Sequence, residues 1–362
     1  MEQELLLESK SDEGVNDLAK LAGQLNGFVK FRDMNDAKLS IIWVSQCWLG
    51  TAVLPENFCA YLSFTGPKSA GKSTATEIMA QLGSGEYIEG GTNAAIRDKL
   101  NKKPRCLGID EIDTQMRKLP DLEGMLRTGA RWHATYPLRV PDSNGGWKTE
   151  DVNIGGPKVL NYRTDPEDAL ATRSITIELE QWNDVNMICD NFYRGPLVNE
   201  LRDSISNLSD RARNQWDVAR MQDHIEDPKF KERVVRIKTK LPRDTEMAAY
   251  LLATADSMGW VADDVLSEYF ARSEEDSLQH LREILRGIVG EHQEDIRDGV
   301  LGLMNKDLHP EVNRRLLRDG LEPIGEKEWK RVRRELGIRD SEDKKGIVLR
   351  FDDKARKAIG AD

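Results

Sequence analysis

The sequence predicts an α/β fold built on a parallel sheet, followed by a helical region and a C-terminal domain of helices and a strand pair. Short apolar runs alternate with helical patterns up to about residue 182, which is typical of parallel βα units. A charged stretch with helical spacing follows, and the pattern then changes again. We therefore divide the chain into an N-terminal helical or flexible segment, a core, a helical lid or arm and a final winged-helix-like domain, at residues 1–36, 37–182, 183–270 and 271–362.

Composition limits the class of protein. With 362 residues, 39% of them hydrophobic, the chain can bury a full core, and its net charge of −10 argues against indiscriminate coating of nucleic acid. The longest apolar stretch, residues 41–54, is too short and too interrupted to span a bilayer, and the N-terminus lacks a signal-peptide pattern. We expect a cytoplasmic protein with no membrane contact. The four cysteines are scattered, so we expect buried free thiols and no zinc at Cys47, Cys59, Cys106 and Cys189.

The first predicted strand, AYLSF at residues 60–64, leads into GPKSAGKST at residues 66–74. This loop fits G-x-x-x-x-G-K-[ST], in which glycines let backbone N–H groups curl around a phosphate ahead of a helix N-terminus. The alternative is a glycine-rich turn that only happens to fit. We expect Lys72 to contact the β- and γ-phosphates of ATP and Ser73 to bind Mg²⁺. The predicted nucleotide-binding residues are Gly66, Pro67, Lys68, Ser69, Ala70, Gly71, Lys72, Ser73 and Thr74.

A second short strand within RCLGIDEID, residues 105–113, ends in carboxylates. Residues at the carboxyl end of a parallel strand face the ligand crevice. Asp110 is therefore the expected magnesium ligand, and Glu111 is the expected general base for water. We interpret Asp113 as a solvated acid that begins the next turn.

The remaining candidate catalytic residues come from two later strands. PKVLNY at residues 157–162 places Asn161 at a strand end, where it could orient water or sense the γ-phosphate, or simply leave the strand for a turn. Arg173 precedes the strand SITIEL and could stabilise transition-state charge in its own subunit or across an oligomer interface. The alternative for Arg173 is an ordinary surface ion pair, and Arg127 and Arg131 are further candidates for its role.

Five segments carry a family resemblance: LSFTGPKSAGKST, LGIDEIDT, MLRTGARW, GPKVLNY and LATRSITIEL, in this order. Together they resemble a helicase-like P-loop ATPase domain family of phage, plasmid and other mobile-element replication proteins, which often stands behind a primase module. The similarity extends through AAYLLATADSMGW at residues 248–260. It implies ATP and Mg²⁺ as cofactors, DNA as a partner, and association with primase or other replication proteins. The chain departs from the family at RTDPED, residues 163–168, where relatives tend to have glycines, and this departure weakens the assignment of Asn161.

The C-terminal domain is predicted from three amphipathic helices and a hairpin, at residues 277–293, 296–306, 325–338 and 339–351. Three helices and a hairpin are typical of a winged helix. The third helix is expected to bury Trp329, Val332 and Leu336. Its opposite face is predicted to contact DNA phosphates, although a solvated charged helix in an oligomer-forming domain is the alternative. The predicted DNA-binding residues are Lys327, Lys330, Arg331, Arg333 and Arg334.

Two functions follow from these patterns. The first is a helicase-like ATPase that acts on DNA in the replication of a mobile element, working as a homo-oligomer. The second is a nucleotide-switched regulator or scaffold whose winged helix binds a protein or an operator. A motor is expected to hydrolyse ATP faster with DNA, whereas a switch is not.

Overall fold

A computed structural model describes most of the chain and divides it into two compact units, Met1–Phe270 and Ala271–Asp362. No helix in the described part of the chain is long and apolar enough to cross a membrane. The described residues are 17–55, 58–102, 105–142, 145–163, 168–181, 194–239, 241–292, 301–318, 324–336, 338–343, 346–351 and 355–357.

The first unit is built on a five-stranded sheet, in which every neighbouring pair is parallel. The predicted α/β fold with a parallel sheet is therefore confirmed. The strands are β1 (Tyr61–Thr65), β2 (Glu86–Ile88), β3 (Leu107–Ile109), β6 (Lys158–Asn161) and β7 (Ser174–Glu178). Their spatial order is β2-β3-β6-β1-β7, and because all pairs are parallel the carboxyl ends of the five strands lie along one edge.

Helices connect and cover these strands. Every residue of β1 is buried, as expected for a central strand covered on both faces. Trp43 anchors one covering helix, because its indole N–H donates to the backbone oxygen of Ala60 at 2.7 Å. The helices are α1 (17–26), α2 (Met34–Leu49), α3 (Lys72–Leu82), α4 (Asn93–Asn101), α5 (Ile112–Lys118), α6 (Pro120–Thr128) and α7 (Asp168–Ala171).

A hairpin separate from the main sheet is inserted between β3 and β6. Its strands, β4 (Thr135–Pro141) and β5 (Trp147–Asn153), pair antiparallel along their full length. Gly145 has φ +83° near the tip, which favours glycine. The first five residues of β5 are exposed, so most of this strand has no core to pack against.

The amino end of β6 carries a buried cation. Lys158 is 1% exposed, and its ammonium donates to the backbone oxygens of Ile154 at 2.8 Å and Gly156 at 2.9 Å. The ring centroid of Tyr61 lies 4.9 Å from the same nitrogen. Burial lowers the pKa of Lys158 to about 8. The lysine therefore ties together the loop that precedes β6, at a cost in desolvation.

Three of the four cysteines lie in the described residues, and all three are buried free thiols: Cys47, Cys59 and Cys106. Burial raises the pKa of Cys47 and of Cys59, so both remain protonated and poorly nucleophilic. Cys189 lies outside the described residues.

In the described residues after β7, four helices complete the first unit and lead into the second. Arg233 joins two of them, because its guanidinium bonds Asp256 at 2.8 Å and Asp263 at 2.7 Å. His224 contacts the same Asp256 carboxylate at 2.8 Å. This network fixes the helical region that follows the sheet. Its helices are α8 (Arg194–Gln215), α9 (Val218–Glu226), α10 (Pro228–Arg236) and α11 (Pro242–Ser257), and α12 (Asp263–Glu291) follows.

The second unit has its own apolar core, in which Trp329 is 1% exposed. Its sheet has three antiparallel strands in the order β8-β10-β9, one more than the predicted hairpin. The helix predicted at 296–306 is wrong for its described part, because residues 301–304 pair with β10 as a strand. Alternating apolar residues suit this strand, and Gly302 disfavours a helix. The elements are β8 (Leu301–Met304), α13 (Asn305–Arg318), α14 (Glu326–Glu335), β9 (Arg339–Asp343) and β10 (Gly346–Phe351).

Lys158 generates a prediction about pH. Its pKa falls from 10.5 to about 8 on folding, so between these values the folded chain binds fewer protons than the unfolded chain. The free energy of unfolding of the wild type should therefore rise with pH relative to Lys158→Met, by up to about 3 kcal/mol. Urea unfolding of both proteins at several pH values measures this difference. A difference that stays constant with pH would contradict a buried, charged Lys158.

Candidate nucleotide-binding site

The loop between β1 and α3 has the backbone conformation that its glycines permit. Gly66 has φ +127° and Gly71 has φ +80°. A Cβ at position 66 would lie 2.5 Å from the backbone oxygen of Leu179, so a larger residue there would clash. Ser69 also has a positive φ, +66°. The loop thus curls tightly before α3 begins at Lys72, and the helix N-terminus faces the loop.

Lys72 folds back over this loop. Its ammonium donates to the backbone oxygens of Gly66 at 2.7 Å and Pro67 at 3.0 Å. Partial burial lowers the pKa of Lys72, and the carboxylates of Asp113 and Asp110 oppose that shift. The cation is thus held at the loop, with two acidic groups close by.

The carboxylate of Asp110 is the centre of the site. It lies just beyond the carboxyl end of β3 and accepts hydrogen bonds from the hydroxyl of Ser73 at 3.0 Å and the hydroxyl of Tyr87 at 3.0 Å. The side-chain amide of Asn161 donates to it as well. Helix α3 and strands β2, β3 and β6 therefore meet at one carboxylate.

Glu111 is held by its backbone and its side chain. Its φ of +45° lies in the left-handed region, which costs energy for a residue with a side chain. Its N–H donates to the side-chain oxygen of Asn161 at 2.7 Å. Its carboxylate forms an ion pair with Arg163 at 2.6 Å. Asn161, which is 2% exposed, therefore links Asp110 to Glu111, and a simple exit from the strand does not account for these contacts.

Asp113 differs from its predicted state. Only 14% of its side chain is exposed, and it accepts a hydrogen bond from the N–H of Arg163 at 3.4 Å. The interpretation of Asp113 as a solvated acid is therefore wrong. The residue lies in the first turn of α5, and its charge acts on Lys72.

Arg173 lies at the opposite end of the sheet from the loop. It precedes β7, whose first residue aligns with Tyr61, whereas the loop follows Thr65 at the other end of β1. Five strand residues separate the two ends by about 16 Å, which an arginine side chain cannot bridge. Burial lowers the pKa of Arg173, and the nearby charge of Arg243 lowers it further.

Arg127 and Arg131, the other candidates for the role of Arg173, have exposed side chains. Arg127 forms an ion pair with Glu123 one turn earlier in α6. The charge of Arg127 also contributes to the lowered pKa of Arg173. Arg127 therefore lies near Arg173 and does not contribute to the phosphate loop.

The basic residues of α14 divide into two groups. Lys330 and Arg334 are exposed, as predicted. Arg333 is only 3% exposed, and its guanidinium lies 5.7 Å from the ring centroid of Trp329. Its predicted position on the exposed face is therefore wrong, because its aliphatic stem packs in the core. Lys327 and Arg331 fall outside the side chains that the structure describes.

Three residues with a potential role were missed in the sequence. Tyr87 belongs to a strand of three residues, too short for its pattern to be recognised. Arg163 follows Asn161 in a segment that shows no motif. Trp147 is 65% exposed at the tip of the hairpin, and the turn GG before an aromatic residue was the only signal for it.

The loop and the side chains around Asp110 fit a nucleoside triphosphate with a divalent cation. Backbone N–H groups of the loop and the α3 N-terminus suit phosphate oxygens. The oxygens of Ser73 and Asp110 lie together and would hold Mg²⁺, which keeps several of its waters and needs few protein ligands. Among the described residues there is no cluster of three or more His, Cys, Asp or Glu side chains.

Comparisons with known proteins give distant likenesses. No family model matches the chain, and no curated protein matches it. The C-terminal region of NrS-1, in its apo A form, is 13% identical, with 92% of this chain and 74% of that chain covered and a TM-score of 0.32. JCV helicase with a bound acetamide compound is 12% identical, with 72% and 60% covered and a TM-score of 0.31. Scores this low do not establish a shared fold, so the site must be interpreted from its own geometry.

Proposed function

We propose that this chain binds ATP with Mg²⁺ and hydrolyses it. One observation carries the proposal: Ser73, Asp110, Asn161 and Glu111 form a connected set of hydrogen bonds beside the phosphate loop, at the carboxyl edge of the sheet. Ligands of open parallel sheets bind at this edge. A glycine-rich turn without function would not require three polar side chains from α3, the end of β3 and β6 to meet there, with the backbone N–H of Glu111 bonded to one of them.

Each residue then has one task. Lys72 and the loop N–H groups bind the β- and γ-phosphates, and Ser73 and Asp110 hold Mg²⁺, which would neutralise phosphate charge. Glu111 accepts a proton from water while the water oxygen bonds to the γ-phosphorus. The bond from that phosphorus to the bridging oxygen breaks, and ADP leaves with the electron pair. Asn161 fixes the backbone of Glu111, and so positions this base.

We infer that Arg173 acts in a neighbouring subunit. The arginine lies about 16 Å from the loop of its own chain, at the amino end of β7. A homo-oligomer in which the amino edge of one sheet faces the carboxyl edge of the next would bring Arg173 to a γ-phosphate. An arginine in that position stabilises the charge of the transition state.

We propose that hydrolysis is coupled to DNA, as in a helicase-like replication factor of a mobile element that works beside primase or other replication proteins. The proposal of DNA contact is supported by the second unit, because the order of its described elements, one helix, a strand, two helices and two strands, resembles that of a winged helix. Lys330 and Arg334 are exposed on its α14, where phosphates could approach. The hairpin offers a different contact, since Trp147 is exposed for stacking on a base.

The hydrolysis proposal is tested with two substitutions. Lys72→Ala should weaken ATP binding about a hundredfold, because it removes the charge at the phosphates. Glu111→Gln should retain ATP binding and lose about 100- to 10,000-fold in turnover, because the amide cannot accept the proton. Titration with a fluorescent ATP analogue and a phosphate-release assay separate binding from turnover. Lys102→Ala, an exposed lysine outside the loop, is the matched control. Normal turnover by folded Lys72→Ala would refute the site.

The role of Arg173 is tested by mixing variants. Arg173→Ala should bind ATP normally and lose about a thousandfold in turnover, because the arginine acts on transition-state charge. Mixing Arg173→Ala with Lys72→Ala subunits should recover part of the activity, since some interfaces then pair an intact loop with an intact arginine. If mixed oligomers form and stay inactive, Arg173 does not act between subunits.

DNA contact is tested with one variant that removes phosphate contacts and one variant that removes base stacking. Replacing Lys330 and Arg334 with alanine should weaken binding and lower the slope of log affinity against log salt by about 2. Trp147→Ala should weaken binding of single strands by about 1 to 3 kcal/mol and leave the slope unchanged. Both affinities are measured by anisotropy at several salt concentrations. If DNA neither binds nor stimulates ATP turnover, the nucleotide-switched regulator is the better assignment.

A further inference from the structure

Arg163 is a second cation at the site, with no task in the mechanism above. Its guanidinium bonds Glu111 at 2.6 Å, and its backbone N–H donates to Asp113 at 3.4 Å. Its contacts are thus with the residue assigned as general base and with an acid whose charge acts on Lys72. An arginine bonded to the proton acceptor of a hydrolase opposes the reaction, because the carboxylate oxygen that accepts from the guanidinium is not free to accept the proton of water.

The chain path brings Arg163 to the phosphate loop. The N–H of Tyr162 donates to the backbone oxygen of Phe64 at 3.0 Å, so pairing with β1 continues one residue beyond β6. Phe64 is two residues before Gly66, where the loop begins. The amide of Asn161, two residues before Arg163, lies 3.5 Å from the hydroxyl of Ser73 in the first turn of α3. The chain therefore emerges at Arg163 beside the phosphate loop and the N-terminus of α3.

The ion pair between Arg163 and Glu111 is easily exchanged. Their side chains are 58% and 37% exposed, and exposed ion pairs contribute little to stability. The γ-phosphate of ATP carries more negative charge than a carboxylate and accepts two parallel hydrogen bonds from one guanidinium. Competition for Arg163 therefore favours the phosphate.

We propose that Arg163 exchanges between two acidic partners, the carboxylate of Glu111 and the γ-phosphate of ATP. Binding of ATP draws the guanidinium to the phosphate, and this movement releases Glu111 to accept the proton of water. ADP has no γ-phosphate and leaves the ion pair intact. Arg163 thus couples recognition of the third phosphate to availability of the base. This inference rests on the proposed ATP hydrolysis at the same site.

The test compares ATP with ADP. Arg163→Ala should lose about tenfold in affinity for ATP, the lower end expected for a charge-assisted hydrogen bond, and keep its affinity for ADP within about twofold. Glu111→Gln should bind ATP several-fold more tightly than the wild type, because Arg163 no longer has a competing carboxylate. That gain should vanish in the double variant. Arg117→Ala is the matched control, since Arg117 is an exposed arginine that pairs with Asp113 at 3.9 Å.

The outcomes separate this inference from the function on which it rests. Competition binding with ATP and ADP against a fluorescent analogue gives the affinities, and thermal unfolding verifies that each variant folds. If the wild type binds neither nucleotide, the proposed function fails. If the wild type binds both and Arg163→Ala keeps the wild-type ratio of ATP to ADP affinity, the exchange is wrong and hydrolysis still stands. Faster turnover of Arg163→Ala at an unchanged ratio would also overturn the exchange, because Arg163 would then only restrain Glu111.

Discussion

The carboxylate of Asp110 is the interaction on which the rest of the first unit depends. It receives hydrogen bonds from Ser73, Tyr87 and Asn161, which belong to three different elements of the fold. A partly buried carboxylate with too few donors is costly, so these donors must stay in place. The parallel sheet satisfies this condition, because β2, β3 and β6 are neighbours and end at the same edge. The order of these strands in the sheet thus places the side chains of the site next to one another.

At the opposite edge of the sheet, where the strands begin, Lys158 is the main structural feature. The ammonium of Lys158 donates to the backbone oxygens of Ile154 and Gly156 in the loop before β6 and to that of Gly129 after α6. This lysine stands three residues before Asn161 in the same strand. One short strand therefore holds a structural cation at one end and the link between Asp110 and Glu111 at the other. Rigidity at the amino end supports the position of the amide at the carboxyl end.

Local sequence was sufficient for some features and insufficient for others. The phosphate loop and the strand before Asp110 are contiguous patterns, so glycine spacing and apolar runs indicate them directly. Tyr87 and Arg163 gain their meaning only from contacts with residues 23 and 52 positions away, which no local pattern records. For Arg333, by contrast, a local property of the sequence led to a wrong prediction. Its charge predicted exposure, but the residue is buried and its guanidinium lies 5.7 Å from the ring centroid of Trp329. Helix periodicity also failed at β8, where pairing with β10 outweighed the helical spacing.

Under the proposed role between subunits, the position of Arg173 also determines how many complete sites an assembly can contain. Each copy of the chain has a loop at one end of β1 and Arg173 at the other end of the neighbouring strand. Copies stacked in one direction form heterologous contacts, and such contacts either close into a ring or continue as an open row. An open row leaves one loop without an arginine and one arginine without a loop, whereas a closed ring leaves neither. Ring closure would then be a requirement for full occupancy of the sites, and dilution below the closing concentration would remove activity faster than it removes nucleotide binding.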